Sequence, residues 1–216
     1  MDTFALIAAE RLRLADELAL LSEDEWASDS LCEGWTAHTA AAHLTLPWEA
    51  GKVDLVLTLL KARGNLDRTI DRASRAVAAR LTPAACVESL RAHAQDRTVP
   101  PTMPPEAPLT DVLVHGADIL RPLGRAVAPD PEARERALGF LTSSAARRGF
   151  RSVSLEGLSF VATDTGWRWP EAGESGSGTR AVAGPSVALA GLLVGRRDHA
   201  LDLEGDGVGV LLERLA

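Results

Sequence analysis

Pro108-Leu109-Thr110-Asp111-Val112-Leu113-Val114-His115-Gly116-Ala117-Asp118-Ile119-Leu120-Arg121 reads as one amphipathic helix. Its apolar positions Leu109, Val112, Leu113 and Ile119 follow helical steps, and Pro122 and Gly124 stop it. Asp111 and His115 stand four residues apart, so their side chains share one face about one turn apart. Asp118, three residues after His115, lies on that same face. Such a pair chelates an ion once a third donor arrives from another helix.

Working outward, the first two thirds of the chain are helical in pattern. Phe4, Ile7, Leu14, Leu18 and Leu21 line one face of a helix predicted to end near Ser22. Thr36 is the expected N-cap of a second helix that runs through His43 toward Gly64 with a bend near Pro47. A polar third covers about 65–80. Thr82-Pro83 starts a fourth that reaches about Arg97, and Asp130-Pro131 starts another that reaches about Arg148. Prolines at 100, 101, 104, 105 and 108 predict an extended connector.

Past Gly149 the texture changes. Residues 157–163 are β-rich, Asp164-Thr165-Gly166 is a turn, and Trp167-Arg168-Trp169 reads as the returning strand of a hairpin. A further strand is expected at 179–183, a helix at 185–194 and a last helix at 207–215. The predicted fold is mainly α: a helical bundle over 1–149, then a small α+β domain over 150–216.

Composition narrows the function. The 216 residues are 46% hydrophobic and 25% charged, enough for a sizeable core. The formal net charge of -7, with arginines scattered along the chain, leaves no basic surface for nucleic acid. The longest apolar stretch, 181–195, is interrupted by Gly184, Pro185 and Ser186 and is too short for a bilayer span. The first residues read as an amphipathic helix and not as a signal peptide, so a soluble cytoplasmic protein is expected. Cys32 and Cys86 are too few for a disulfide framework and are expected as reduced, small core residues.

Five histidines, at 38, 43, 93, 115 and 199, are candidates to complete the Asp111/His115 pair. His43 sits among Ala40, Ala41, Ala42 and Leu44, on a face turned to the bundle interior. Together with Asp111 and His115 it makes a two-imidazole, one-carboxylate set with a position left open, the pattern of a catalytic divalent-metal site. His38, five residues earlier, points well around the helix from His43. His93 and His199 lie in polar sequence and are expected to be solvated. The bland alternative stands beside this one: an Asp/His pair at this spacing is by chance more often a surface hydrogen bond, and a histidine among alanines more often a satisfied core residue.

Several runs resemble the mycothiol-dependent maleylpyruvate isomerase family. They are Cys32-Glu33-Gly34-Trp35-Thr36-Ala37-His38, then Ala42-His43-Leu44, the stretch from Asp111 to Ile119, and Pro122-Leu123-Gly124. The resemblance spans nearly the whole chain and implies a DinB-like four-helix bundle followed by a small α+β domain of sterol-carrier-like character. It implies His43, Asp111 and His115 as ligands of one metal, zinc or nickel, with Asp standing where the family's isomerase type has Glu. It also implies a Gly195-Arg196 element in which Arg196 reaches an anionic substrate. Asp118 is a candidate to orient a ligand or a bound water. Trp35 and Trp48 flank the ligand helix as pocket wall or core.

The resemblance implies a low-molecular-weight thiol, mycothiol, as cosubstrate, used for isomerisation or thiol transfer on a small electrophilic molecule. Two other classes remain open from the residues alone. One is a non-catalytic small-molecule or lipid-binding protein with a structural metal; the other is a metal-dependent hydrolase.

Overall fold

The computed structural model describes residues 1–50, 65–147, 149–151, 153–170 and 179–215. In chain order the helices are α1 (Thr3–Leu18), α2 (Glu23–Ala27), α3 (Ala37–Leu44), α4 (Leu46–Glu49), α5 (Leu66–Ala78), α6 (Pro83–Ala92), α7 (Glu106–Leu120), α8 (Pro131–Thr142), α9 (Ser186–Leu193) and α10 (Gly207–Arg214). The strands are β1 (Leu158–Ala162), β2 (Arg168–Trp169) and β3 (Arg180–Gly184). The chain is thus a mainly helical protein with a small α+β part. No helix among the described residues is long and apolar enough to cross a membrane.

Internal contacts gather the chain into two compact units. One, here the helical unit, takes Asp2–Thr98 and His115–Ala128; the other, the sheet-bearing unit, takes Met1, Val99–Val114 and the chain from Pro129 onward. Helix α7 runs unbroken from the second into the first.

In the helical unit α1 packs on α6, and α3 packs on α5 and α6. Of the predicted α1 face, Ile7, Leu14 and Leu18 are fully buried and Phe4 is half-buried; Leu6, outside that pattern, is buried as well. Helix starts follow local chemistry. The Thr36 and Thr82 hydroxyls accept from the N–H groups of Thr39 and Ala85, each at 3.2 Å, and Asn65 Oδ1 accepts from Arg68 at 2.9 Å. Helix ends depart from expectation. α1 stops at Leu18, and Ser22 opens α2 with a reciprocal capping box to Glu25 (3.3 and 2.8 Å). α3 stops at Leu44, where the buried Thr45 hydroxyl takes the Ala42 carbonyl at 2.8 Å, and Pro47 falls in the first turn of α4. The rest of the helix expected to reach Gly64 lies outside the described residues.

In the sheet-bearing unit β1 is central, antiparallel to β2 (Phe160 opposite Trp169) and parallel to β3 (Phe160 opposite Val182). Leu158, Phe160 and Ala162 alternate inward onto a core with Leu138, Leu141, Leu189 and Leu192. α8 starts as predicted, on Asp130 accepting from Glu132 N–H at 2.8 Å, but it ends at Thr142. The reason is Arg151. Its buried guanidinium donates to the Leu141 and Ser143 carbonyls (2.7 and 3.2 Å) and to Val153, taking the acceptors that a further turn would have used. Burial, with the Arg147 charge nearby, pulls the Arg151 pKa down.

His199 corrects another expectation. It is fully buried, its ring lying against Gly191 of α9, where an added Cβ would meet the imidazole at 2.2 Å.

Candidate metal centre

Helix α7 places Asp111 and His115 one turn apart, and α3 brings His43 to them. One ligand atom from each of these three residues lies within 4.8 Å of the others. The two imidazole rings meet edge to face with centroids 4.7 Å apart. His115 is 8% exposed, while His43 and Asp111 are half-buried.

Each histidine has a second polar group beside its Nδ1. His43 Nδ1 lies 3.1 Å from the Ser74 hydroxyl of α5, and that hydroxyl donates its own proton to the Ile70 carbonyl at 2.8 Å. Ser74 therefore accepts from Nδ1–H, which puts the lone pair of the neutral ring on Nε2. On His115, Asp118 Oδ2 stands 3.0 Å from Nδ1. Asp118 is fully buried, and its carbonyl accepts from Leu31 N–H at 3.0 Å, tying the loop before α3 to α7.

Trp35 covers both rings. Its indole is 5.2 Å from His43 and stacks on His115 at 5.8 Å and 28°. The Nε1–H donates to Asp71 at 2.8 Å, and Arg75 bonds both Asp71 and the Gly34 carbonyl at 2.8 Å. Burial acts to raise the Asp71 pKa, but the Trp35 and Arg75 hydrogen bonds outweigh it and hold the carboxyl below its ordinary value. Gly34 has φ +72°, which turns the loop so that Trp35 N–H reaches the Cys32 carbonyl at 2.9 Å.

A second donor group shares His115: Cys32, His115 and Asp118 also bring one ligand atom each within 4.8 Å of one another. Cys32 is half-buried in this loop and is not the small core residue expected, whereas Cys86 is fully buried. Burial, then the Glu49 charge, pushes the Cys86 thiol up to about 11.

The remaining candidates lie elsewhere. His38 Nε2 meets the Leu81 carbonyl at 2.9 Å, and Trp48 stacks on His93, with the Arg11 guanidinium 5.0 Å from the Trp48 ring centroid. Arg196 belongs to the sheet-bearing unit, where its guanidinium donates to the Val194 carbonyl at 3.2 Å.

With this geometry in view, the chain can be set beside known proteins. Two crystal structures match it, one of mycothiol-dependent maleylpyruvate isomerase (TM-score 0.55) and one of a histidine-to-alanine mutant of that enzyme (TM-score 0.56). The chain has this isomerase's fold. Each match covers 95% of this chain and 92% of the other, at 18% sequence identity, so what the proteins share is a fold built over nearly the full length of both. No family model and no curated protein matches the chain.

Ser74, Asp71 and the proximity of Cys32 to His115 have no signal in the one-dimensional pattern. Ser74 is one of several polar residues on α5, and only the approach of α5 to α3 singles it out.

Proposed function

We propose that this protein is a metal-dependent enzyme that uses a low-molecular-weight thiol of the mycothiol class on a small electrophilic substrate, by isomerisation or S-transfer. The observation that carries the proposal is that His43, Asp111 and His115 bring one ligand atom each within 4.8 Å of one another, in a fold whose solved neighbour is a mycothiol-dependent isomerase.

The donor set fits a divalent ion of the zinc or nickel kind: two imidazoles and one carboxylate. When bound, the ion supplies Lewis acidity that holds a coordinated sulfur as thiolate at neutral pH. The protein's own residues do the rest. Ser74 fixes the His43 tautomer, so that the Nε2 lone pair would be the one offered to an ion. Asp118 Oδ2, 3.0 Å from Nδ1 of His115, would occupy that side of the ring and leave Nε2 as the nitrogen to ligate. Trp35 lies against both rings and would exclude water from that side of a bound thiol. Arg196 is assigned to the anionic group of the substrate, on the resemblance of its Gly-Arg element.

Calorimetric titration of mycothiol into zinc-loaded and chelated protein tests this reading. Heat of binding is expected with the loaded form and not with the chelated form. Equal binding to both, or none to either, would overturn it.

A further inference from the structure

His115 has a second set of possible donors beside it, of which Cys32 has no role in the proposed reaction. The first set is His43 and Asp111; the second is Cys32 and Asp118, with Asp118 Oδ2 3.0 Å from Nδ1. A thiol, an imidazole nitrogen and a carboxylate oxygen within 4.8 Å of one another are a ligand set in their own right, and the softer of the two because it contains sulfur. The loop that carries the thiol is built to hold it there. Ser30 Oγ accepts from Cys32 N–H at 3.2 Å and donates to the Trp35 carbonyl at 2.9 Å, and Leu31 N–H is pinned to Asp118.

We propose that Cys32, His115 and Asp118 form a second metal seat, selective for thiophilic divalent ions, that excludes occupancy of the His43/Asp111/His115 seat. The exclusion follows from the imidazole. A neutral ring has one nitrogen lone pair, so it ligates through Nδ1 or through Nε2, while the other nitrogen carries the proton. Binding on the Cys32 side uses Nδ1 and moves that proton to Nε2, which removes His115 from the other seat. The thiol proton leaves to solvent as the sulfur–metal bond forms, so uptake at this seat releases one proton from Cys32. The inference shares His115 with the proposed centre but does not require thiol-dependent chemistry.

Cobalt(II) titration of the chelated full-length protein, with no thiol added, reads the two seats apart. Sulfur ligation gives a near-ultraviolet charge-transfer band, whereas the nitrogen and oxygen seat gives only visible d–d absorption. Wild type is expected to show the band at no more than one cobalt per chain. C32S should lose the band yet still bind cobalt, with C32A as the second variant should the serine disturb the loop. H43A should keep the band, and its intensity per bound cobalt should be at least that of wild type. Cobalt bound by wild type without the band, or an undiminished band in both Cys32 variants, overturns the second seat alone. Two cobalts per chain overturns the exclusion. Failure of wild type to bind cobalt at all overturns both seats, while failure confined to H43A removes the second and leaves the first.

Discussion

His115 in the helical unit and His199 in the sheet-bearing unit are both buried, at 8% and 0% exposure, yet their surroundings differ in kind. Around His115 stand His43, Asp111, Asp118 and Cys32, all able to ligate. His199 instead lies flat against a glycine, and among the described residues no ligating group includes it. Burial of an imidazole therefore does not mark a site in this molecule. What marks it is the count of lone-pair donors that other elements bring to the ring, and the groups that fix its tautomer.

That contrast fails first if His115 is structural. His115→Ala removes a ligand outright, and the loss of metal affinity should exceed the roughly 10–100-fold typical of losing an outer hydrogen bond to a ligand. The apolar faces of α1, α3 and α6 hold the helical unit together, so the variant should keep its helical circular dichroism and a cooperative melt. Its stability should fall only by the linked loss of bound metal. Metal analysis beside thermal unfolding checks this. A variant, or chelated wild type, that loses its helix would make the metal a folding element.

The converse test is at Gly191. A methyl group there meets three atoms of the His199 ring between 2.2 and 2.5 Å, and the fully buried ring has little room to retreat. Gly191→Ala should cost about 3 kcal/mol, the upper range for overpacking, read as a lower urea midpoint at unchanged slope. Metal stoichiometry should stay at the wild-type value. Loss of metal in this variant would show that the packing histidine and the ligating one are coupled, and the contrast would break.

What the sequence disclosed follows the same division between local and tertiary causes. The starts of α3, α6 and α8 were legible because a capping side chain bonds the backbone two or three residues on. Asp111 and His115 were legible because one helix spaces them. The ends of α1, α3 and α8 were not. Thr45 stops α3 through a hydroxyl bond to Ala42, and α8 is stopped by Arg151, which folds back from beyond the helix. The hairpin was expected, and so was a strand at 179–183, which is found at Arg180–Gly184; the parallel pairing of β1 with β3 had no signal in the pattern. His199 was misread as solvated because its burial depends on a glycine eight residues away on another element. Ser74 and the Cys32 side of His115 exist only once α5 and the 28–36 loop pack onto the α3 and α7 rings.

Ser74 sharpens the contrast at smaller scale, because it sets a tautomer without touching the ion. Ser74→Ala deletes the acceptor of His43 Nδ1–H and frees the ring to hold its proton on Nε2, the ligating nitrogen. Metal affinity should drop about 10-fold, the lower end for an outer-shell partner, measured by competition with a chromophoric chelator. Ser74→Cys, a weaker acceptor of similar size, should fall between wild type and alanine. No change in either variant would mean that His43 is held by packing alone.

The smallest effect is expected at Asp71, which supports Trp35 from the solvent side. Its carboxyl pKa is held below the ordinary value, since the hydrogen bonds from Trp35 and Arg75 outweigh burial. A lowered folded-state pKa means that the ionised form favours the native state. The contribution is complete above the unfolded value of 3.8 and is lost as pH falls through the lower folded value. The side chain is 41% exposed, so the Arg75 pair is screened and counts for about 0.5 kcal/mol or less. Asp71→Asn keeps an oxygen for the indole N–H but loses the charge. It should therefore melt close to wild type at pH 7 and lose less stability than wild type does between pH 4 and pH 2, about half a kilocalorie per mole of difference. Asp71→Ala also removes the indole's acceptor, leaving Trp35 Nε1–H without it, and should cost about 1 kcal/mol more at pH 7. Urea midpoints at the two pH values separate these terms. If the asparagine variant instead lost as much as the alanine variant at pH 7, the Arg75 ion pair and not the indole hydrogen bond would be what holds Trp35 over the two histidines.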